Sequence, residues 1–593
     1  PALLSQLGIF TDLASLTPAS YFVPYNVNPF WSDGAVKSRW IALPNDGVRD
    51  TPAEQIGYSA TSNWTFPAGT VLMKHFELPL DENNPNVTTR LETRFMVYGN
   101  DGRWYGLTYQ WLPDQSDAVL LTSSATTDYT IKLKGGGTRQ QTWYFPSRDD
   151  CMRCHNDTAG GALGPRTHQL NRSFQYPSTG ITDNQLRTWN HLGMLSPPLD
   201  ESTIPTLLQS REIGDVTASL QDRARGWLDS NCSQCHRPGN QMPAFFDARL
   251  TTPLQSQLMV NGTVVDTLNL PNAHVLTPGD PSNSVLYQRA AALGEIAMPP
   301  LAKSLVQDEA VTVLANWIQR VPPNFPQGGL FYEYYKASAD SLATFTFEDP
   351  TVSGQVETFD LSASQDVDGF VMRFTGLIEI DTAGTYTFYT TSDDGSQLFI
   401  DGALVVDNDG HHGPLQQSGT VSLSPGFHAI VVTYFQAGGG MTLDVQWSGP
   451  GIAQEDIPLS LLYTSVPTPI TNHAPTVTTL GNVTSQTGSQ VSIPIAASDP
   501  DGDSLYYEAS GLPYGVTMDP VTGRITGAAA AGTAGNYAVT VGVSDGPAVA
   551  SMSFNWLVIA PSTSHCGLGA ELAAVIPALE WLRRRRRAAR AGR

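Results

Sequence analysis

Two copies of the pattern C-x-x-C-H, CMRCH at 151–155 and CSQCH at 232–236, are the stretches of this sequence best suited to chemistry. The chain has 593 residues, of which 5 are cysteine and 11 are histidine. These frequencies would produce roughly 0.0008 copies of the pattern by chance. The pattern is an attachment site for c-type haem, in which two cysteines form thioethers with the haem and the histidine coordinates its iron. A disulfide within each motif, or one zinc ion on four thiols, would not explain the two histidines.

The sequence therefore predicts two covalently bound haems. The first would be held by Cys151, Cys154 and the proximal ligand His155, and the second by Cys232, Cys235 and the proximal ligand His236. A methionine thioether is a common second axial ligand in cytochromes of this kind. Met298, in the stretch IAMPPL, is the expected ligand of the second haem, because two prolines stiffen the loop that carries it. Met242 and Met259 are the rival ligands.

The second axial ligand of the first haem stays open in the sequence. The candidates are His75, His168, His191 and Met194, with Met96 behind them. His191 and Met194 lie three residues apart in NQLRTWNHLGML, which has a helical pattern, so either could face a haem.

The elements around these motifs predict a multidomain protein that is mainly β. Residues 1–205 alternate apolar and polar residues in several strands and form a β-rich domain that carries the first haem. Residues 206–322 are expected to form an α-helical cytochrome c domain that carries the second haem. Its first helix would bury Leu220, Ala224, Trp227 and Leu228, and its last helix would begin with Asp308 as N-cap.

The remaining chain is predicted to hold two β-sandwiches and a tail. Regular short strands separated by turns extend over residues 327–464 and again over residues 474–560. A Pro/Thr-rich linker joins the two segments. Residues 561–593 contain an apolar stretch of about sixteen residues, which is short for a membrane-spanning helix of about 20.

The net charge and the predicted cofactor limit where the protein can be located and which partners it can bind. The net charge is −22, and it is −27 without the seven Arg and two Glu from residue 567 onward. Such an acidic body argues against nucleic acid and anionic membrane as partners. Covalent haem attachment takes place outside the cytoplasm, so we expect a periplasmic, cell-surface or secreted protein. The sequence starts at Pro1 and shows no signal peptide, which predicts that a leader preceded it.

Three segments resemble known families. Residues 1–322 resemble bacterial diheme c-type cytochromes through FVPYNVNPFWSDGAVKSRWIALP, FPSRDDCMRCHN and RARGWLDSNCSQCHRPG. Residues 327–464 resemble the protective-antigen-type (PA-fourteen) β-sandwich through TSDDGSQLFIDGALVVDNDGHHG, and residues 474–560 resemble cadherin- or immunoglobulin-like modules through SDPDGDSLYY and YAVTVGVSDG. The tail is similar to C-terminal sorting signals, which are cut by a membrane enzyme. This resemblance implies membrane contact only through the tail before processing, with Cys566 as part of the processing or anchoring site.

Two acidic loops are candidate calcium sites, because adjacent carboxylates suit a hard cation. Asp393 and Asp394 precede a Gly-Ser pair, and Asp407, Asn408 and Asp409 add oxygens nearby in the sequence. In glycan-binding relatives of the PA-fourteen domain, the corresponding pair holds a calcium ion that bridges sugar hydroxyls. The loop of Asp499, Asp501 and Asp503 is the second candidate. Ordinary turn chemistry is the alternative for both loops.

The sequence favours an exported diheme cytochrome that transfers electrons between redox partner proteins, with β-modules for adhesion or for glycan targeting. One alternative is a haem peroxidase or oxidase, which needs an iron with an open position and an acid–base group beside it. The other alternative is a surface glycan-binding or adhesion protein in which electron transfer is secondary.

Overall fold

The computed structural model describes residues 1–48, 51–240, 246–323, 325, 328–356, 358–466, 472–561 and 581. Two compact units emerge, the first made of residues 1–473 with 545–548 and the second of residues 474–544 with 549–593. The tail predicted at residues 561–593, with Cys566, lies outside the described residues except for its first residue and Trp581. Among the described residues, no helix combines the length and the hydrophobicity that crossing a bilayer requires.

A six-stranded antiparallel sheet forms the base of the first unit. Side chains alternate between its two faces, as in any strand. Met73 and Phe95 pack on one face against the N-terminal segment, whereas Leu72 and Met96 pack on the other face. The strands, in spatial order, are Val23–Pro24, Val36–Ala42, Val71–Pro79, Thr88–Tyr98, Trp104–Trp111 and Ala118–Leu120.

Four two-stranded ladders surround this sheet. Three are antiparallel and the last is parallel. They pair Phe10–Asp12 with Thr17–Pro18, Ala125–Lys132 with Thr138–Phe145, Ser173–Gln175 with Thr182–Asn184, and Ile56–Gly57 with Leu195–Ser196.

Six α-helices occur in the described residues, all of them in the first unit. They are α1 (Arg148–Cys154), α2 (Thr167–Leu170), α3 (Gln185–His191), α4 (Leu220–Asn231), α5 (Val285–Ala291) and α6 (Asp308–Ile318).

The prediction of an α-helical cytochrome c domain in residues 206–322 is wrong. The three helices in this segment, α4, α5 and α6, have only 12, 7 and 11 residues. Between α4 and α5 the described chain follows turns and two short 3-10 helices, Leu254–Ser256 and Pro281–Asn283. Several residues here, including Leu258, Asn261 and Asn269, have positive φ, which a right-handed helix cannot contain. The protein is therefore mainly β, with short helices set among loops.

Helices α4 and α6 pack on each other. The predicted apolar face of α4 is confirmed, since Leu220, Ala224, Trp227 and Leu228 are all buried. Helix α6 begins at Asp308, one residue earlier than predicted, because its N-cap is Gln307 rather than Asp308.

The segments 1–205 and 206–322 are joined by buried polar contacts. The Asn28 side-chain amide donates to the carbonyl oxygen of Arg211 at 2.6 Å, and the backbone N–H of Trp31 donates to Asn231 Oδ1 at 2.8 Å. The carboxylate of Asp33, which is buried, accepts hydrogen bonds from the backbone N–H groups of Ser304 (3.0 Å) and Leu305 (2.8 Å). These contacts make the two segments one body.

A β-sandwich follows within the first unit. Its seven-stranded sheet consists of Val352–Val356, Leu330–Tyr335, Phe370–Ile380, Gly426–Gln436, Ser396–Ile400 and Ala403–Asn408 in spatial order, with Leu462–Tyr463 paired to Phe370–Ile380. Its four-stranded sheet consists of Leu415–Leu423, Gly384–Asp393, Thr442–Gly449 and Ile452–Asp456. Buried residues from both sheets, such as Phe374, Val432 and Trp447, share one apolar core.

The second unit is a smaller sandwich. A four-stranded sheet, Val483–Gln486, Val549–Ile559, Gly535–Ser544 and Tyr506–Ser510, packs against a three-stranded sheet, Gln490–Pro494, Arg524–Ala528 and Val516–Met518. Thr476–Val477 pairs with Ala497–Ser498. Trp556 is fully buried in its core, and Ile525 packs there from the opposite sheet.

Candidate functional site

Both C-x-x-C-H motifs open into one cavity of about 440 Å³ in the first unit. All seven residues that the sequence assigned to the two haems line it: Cys151, Cys154, His155, Cys232, Cys235, His236 and Met298. The volume is in the range of small-molecule and cofactor sites. Cys151 and Met298, which are 147 positions apart in the chain, therefore line the same cavity, and the sequence alone did not predict this.

A capping box places the first motif on α1. The Ser147 hydroxyl accepts a hydrogen bond from the Asp150 backbone N–H at 3.2 Å, and the Asp150 carboxylate accepts one from the Ser147 N–H at 3.0 Å. Cys151 and Cys154 follow three residues apart on this helix, so both thiols lie on one side of it. The strand Trp104–Trp111 lies so close that a Cβ on Gly106 would be 2.8 Å from the Cβ of Cys151.

The ring of His155 is oriented for coordination through one nitrogen. Its Nδ1 lies 2.6 Å from the carbonyl oxygen of Gly161. A carbonyl oxygen can only accept, so Nδ1 carries the proton and Nε2 keeps a free lone pair. Burial lowers the pKa of His155 to about 4, which keeps the ring neutral. A hydrogen bond from Nδ1 to a backbone carbonyl is the usual way in which proteins fix a metal-binding histidine.

The second motif follows α4 directly. Helix α4 ends at Asn231, Cys232 is its C-cap, and the backbone N–H groups of Cys235 and His236 both bond to the carbonyl oxygen of Cys232. The ring of His236 stacks on Phe246 with 4.2 Å between centroids.

The two motifs touch each other through their second cysteines. Cys154 and Cys235 form a hydrogen bond that raises the pKa of the Cys154 thiol and lowers that of Cys235. Arg237 also donates to the carbonyl oxygen of Thr158 at 3.0 Å. The predicted haem attachment points are therefore adjacent.

Neither alternative reading of the four cysteines matches this geometry. All four are free thiols. A tetrahedral zinc site would bring at least three thiolate or imidazole atoms together. In the described part of the chain, only the loop of Asp499, Asp501 and Asp503 gathers three potential ligand atoms within 4.8 Å of one another.

Met298 reaches the cavity on an anchored loop. Its backbone N–H donates to the carbonyl oxygen of Arg289 at 3.0 Å, and the Lys303 ammonium donates to the carbonyl oxygen of Met298 at 3.0 Å. The Asp33 carboxylate holds the following residues, Ser304 and Leu305. Of the rival methionines, Met259 is buried in the core away from the cavity lining, and Met242 lies outside the described residues.

The four main candidates for the first haem's second ligand do not line the cavity. His75 bonds to Thr93, His168 bonds to the Asp229 carboxylate at 2.9 Å, and the exposed His191 pairs with Glu201. Met194 is fully buried in an apolar core. Met96 does line the cavity, and its sulfur lies near Cys151 on the same side of Gly106. The sequence ranked it last because a methionine in a strand has no distinguishing context.

Substituting Met298 tests its assignment. We expect Met298→Ala to abolish the near-infrared sulfur-to-iron band of the oxidised, haem-loaded protein. The two other described methionines that line the cavity, Met73 and Met96, lie on strands of the central sheet and not on the loop that carries Met298. Met259→Leu, which alters a core methionine, should leave the band unchanged. A band at full amplitude in Met298→Ala would assign the ligand elsewhere.

A second polar site lies in the β-sandwich of the first unit. Asp393 is the last residue of the strand Gly384–Asp393, and Asp394 follows it through a cis peptide bond. The two residues are 6% and 5% exposed. The Asp394 carboxylate accepts hydrogen bonds from the backbone N–H groups of Ala437 (2.9 Å) and His412 (3.3 Å). The Asp393 carboxylate lies against Gly440, where an added Cβ would be 2.5 Å from its Oδ2.

Of the neighbouring oxygens that the sequence suggested, one matches this site best. Asn408 is buried and donates its amide N–H to Ser392 Oγ at 2.9 Å, which leaves its Oδ1 without a hydrogen-bond partner among the described residues. Asp407 instead bonds to Gln397, and Asp409 accepts from the Leu342 backbone N–H at 2.8 Å.

The acidic loop of the second unit is compact. Asp499 Oδ1 accepts hydrogen bonds from the backbone N–H groups of Asp501 (2.8 Å) and Asp503 (3.2 Å). Burial and the charges of the two other carboxylates raise the pKa of Asp503. This arrangement suits a cation, and it is also what an ordinary Asp-rich turn looks like.

Comparison with known families identifies both sandwiches. Residues 327–460 match the PA14 domain, and residues 474–559 match a putative Ig domain. The expected PA-fourteen and immunoglobulin-like modules are thereby confirmed. The two matched segments leave residues 1–326 uncovered, so the resemblance of that part to diheme cytochromes stays a prediction.

Individual relatives cover only part of the chain. The anti-sigma-I factor RsgI3 of Acetivibrio thermocellus is 32% identical over 138 residues, which are 23% of this chain and 21% of that protein. The PA14 domain of the antifreeze protein MpAFP is 20% identical and covers 25% of this chain and 97% of the domain, with a TM-score of 0.22. The PA14 sugar-binding domain of an RTX adhesin is 22% identical and covers 23% and 99%, with a TM-score of 0.20. TM-scores this low carry no functional argument.

Proposed function

We propose that this protein acts outside the cytoplasm and binds carbohydrate through its PA14 domain, with a calcium ion held by Asp393 and Asp394. The observation that carries this proposal is the buried pair of adjacent carboxylates. Asn408, whose amide donates to Ser392 next to this pair, adds an Oδ1 that has no hydrogen-bond partner among the described residues. Burying two negative charges side by side is costly unless a cation neutralises them. Calcium prefers carboxylate and amide oxygens, and it keeps positions open for the hydroxyls of a ligand.

Calcium titration of the full-length protein tests this proposal. After treatment with a chelator, the wild type should release heat with Ca²⁺ and bind a glycan array only when Ca²⁺ is present. Asp394→Asn should lose glycan binding and the heat of calcium binding at this site, because an amide replaces one of the two charged ligands. Asp407→Asn, which changes an exposed neighbour, should retain both.

The same experiment must distinguish calcium binding at the acidic loop of the second unit from calcium binding at Asp393 and Asp394. Asp501→Asn removes one of its three carboxylates and should leave calcium-dependent glycan binding intact. Glycan binding that survives in Asp394→Asn, or that needs no calcium, would refute the proposed role of the PA14 domain.

A second function is proposed for residues 1–322: the covalent holding of two haems for electron transfer between extracytoplasmic redox partners. The observation that favours it is the shared cavity, because Cys151, Cys154, Cys232 and Cys235 all line it. His155 would bind iron through Nε2, Met298 would supply a thioether sulfur, and His236 would serve the second motif. Haem, when bound, supplies one-electron chemistry.

Haem content and spin state test the second function. The full-length protein, produced in a periplasm that attaches haem to C-x-x-C-H motifs, should carry the mass of two haems after denaturation. Electron paramagnetic resonance should then show two six-coordinate low-spin irons. One high-spin iron would favour the peroxidase or oxidase alternative, and a protein without covalent haem would refute this function.

A further inference from the structure

Three cations form a row across the central sheet of the first unit. Arg39, Lys74 and Arg94 lie directly opposite one another on three neighbouring antiparallel strands, Arg39 beside Lys74 and Lys74 beside Arg94. All three side chains line the cavity that receives the two C-x-x-C-H motifs. Like charges at directly opposed positions of a sheet destabilise it, so this row needs compensation.

The protein itself supplies little of that compensation. Arg94 pairs with Glu92, with 2.9 Å between Nε and Oε2. Arg39 is 7% exposed, and its guanidinium makes no hydrogen bond or ion pair within the described part of the chain. Burial lowers the pKa of Arg39, and the more distant charge of Glu212 only partly offsets this effect. Within the described part of the chain the Lys74 ammonium makes no ion pair; it lies over the ring of Phe76, 4.8 Å from the centroid. Burial first, and then the neighbouring positive charges, hold the pKa of Lys74 well below its ordinary value.

The carboxylates that line the same cavity are already engaged. Asp150 accepts hydrogen bonds from the Ser147 backbone N–H and from the Tyr144 hydroxyl (2.7 Å). Asp229 accepts from His168 and from Gln169 (2.8 Å). Because these two carboxylates are engaged elsewhere, the buried guanidinium of Arg39 and the ammonium of Lys74 are suited to an anionic group of a ligand that enters the cavity.

We propose that Arg39, Lys74 and Arg94 form a carboxylate-binding row for the ligand of this cavity. The inference rests on the proposed haem function, since a haem carries two propionate carboxylates. A small free dicarboxylate is the other source of the same chemistry. The planar guanidinium of Arg39 suits bidentate binding of a carboxylate, and Lys74 adds a point charge beside it.

Porphyrin binding to the haem-free full-length protein distinguishes a haem from a free dicarboxylate as the source of the carboxylate. Mesoporphyrin IX keeps both propionates and lacks vinyl groups, so it cannot form thioethers, and its dimethyl ester lacks the free carboxylates. We expect the acid to bind about tenfold or more tightly than the ester, the size of effect that charged hydrogen bonds give. The double variant Arg39→Gln with Lys74→Gln should lose this preference.

The matched control is Arg103→Gln, which removes an exposed positive charge next to the same sheet and should keep the preference. Succinate that binds the wild type and not the double variant would assign the row to a free dicarboxylate. Equal binding of acid and ester, together with no binding of succinate, would overturn the proposal. Circular dichroism verifies that each haem-free variant is folded.

A measurement on the haem-loaded protein keeps the proposal testable if the haem-free chain does not fold. Loss of a positive charge beside a carboxylate-anchored haem should lower its reduction potential. Arg39→Gln should therefore have a lower haem reduction potential than both wild type and Arg103→Gln. An unchanged potential would contradict the proposal that Arg39 binds a haem carboxylate. Absence of covalent haem in the wild type would refute the haem function alone, because succinate binding is measured independently.

Discussion

Replacing Cys151 and Cys154 together by serine is expected to remove the mass of one haem from the denatured protein. Thioether formation needs the sulfur atoms, and a serine hydroxyl cannot replace them. His155 keeps its hydrogen bond to Gly161, so the protein fold around the cavity should persist. The sulfur-to-iron band expected from Met298 should also persist, because we propose Met298 as a ligand of the second haem.

The reciprocal variant, Cys232→Ser with Cys235→Ser, is the matched control. It should likewise leave one haem and should lose the Met298 band. Because Cys154 and Cys235 touch, each variant should also shift the reduction potential of the haem that remains. Two haems in either double variant would show that these cysteines are not the attachment points.

Asp229→Ala is expected to destabilise the first unit by about 3–5 kcal/mol, the usual cost of breaking a buried charged pair. The Asp229 carboxylate holds His168 at 2.9 Å, Gln169 at 2.8 Å and the Leu250 backbone N–H at 3.1 Å. Denaturant unfolding followed by tryptophan fluorescence measures the loss. Asp157→Ala, at an exposed position, should change the free energy of unfolding by less than about 0.5 kcal/mol.

The contribution of Asp229 should also depend on pH. Burial raises its pKa, but the ring of His168 and the charge of Arg166 outweigh burial and hold that pKa well below the ordinary value. Because the folded-state pKa is depressed, the stabilisation is complete above the unfolded-state pKa and is lost as the pH falls through the folded-state pKa. The difference in free energy of unfolding between wild type and Asp229→Ala should therefore become smaller in strong acid. A difference that becomes larger there would contradict this role of Asp229.

The sequence predicted which residues line the cavity better than it predicted the fold that brings them together. Motif spacing is local, so the seven proposed haem residues follow from short stretches of sequence. Their convergence depends on contacts between residues such as Cys154 and Cys235, 81 positions apart, which no local pattern reveals. The prediction of a helical domain was wrong for the opposite reason. The apolar face of α4 was predicted correctly, but the turns that follow it, with residues such as Leu258 at positive φ, were not predicted.

The first haem's second ligand illustrates the same limit. His75 and Lys74 are neighbours on one strand and point to opposite faces of the sheet. Lys74 lines the cavity, whereas His75 bonds to Thr93 on the other face. A shift of one residue in register would exchange them, and the sequence alone does not fix which residue faces the cavity. The row of Arg39, Lys74 and Arg94 was not predicted from the sequence, because its three residues come from three separate strands.

The anchoring of residues 304–305 by Asp33 bears on how the first unit is made. The hydrogen bonds that fix the Met298 loop join positions separated by 271 and 272 residues. Contacts of such long range raise contact order and slow folding. During synthesis the cavity cannot close until the ribosome has passed residue 305, so both C-x-x-C-H motifs emerge while the pocket is still open. Separate expression of residues 1–205 and 206–322 should therefore yield two fragments that regain the native cavity only when combined.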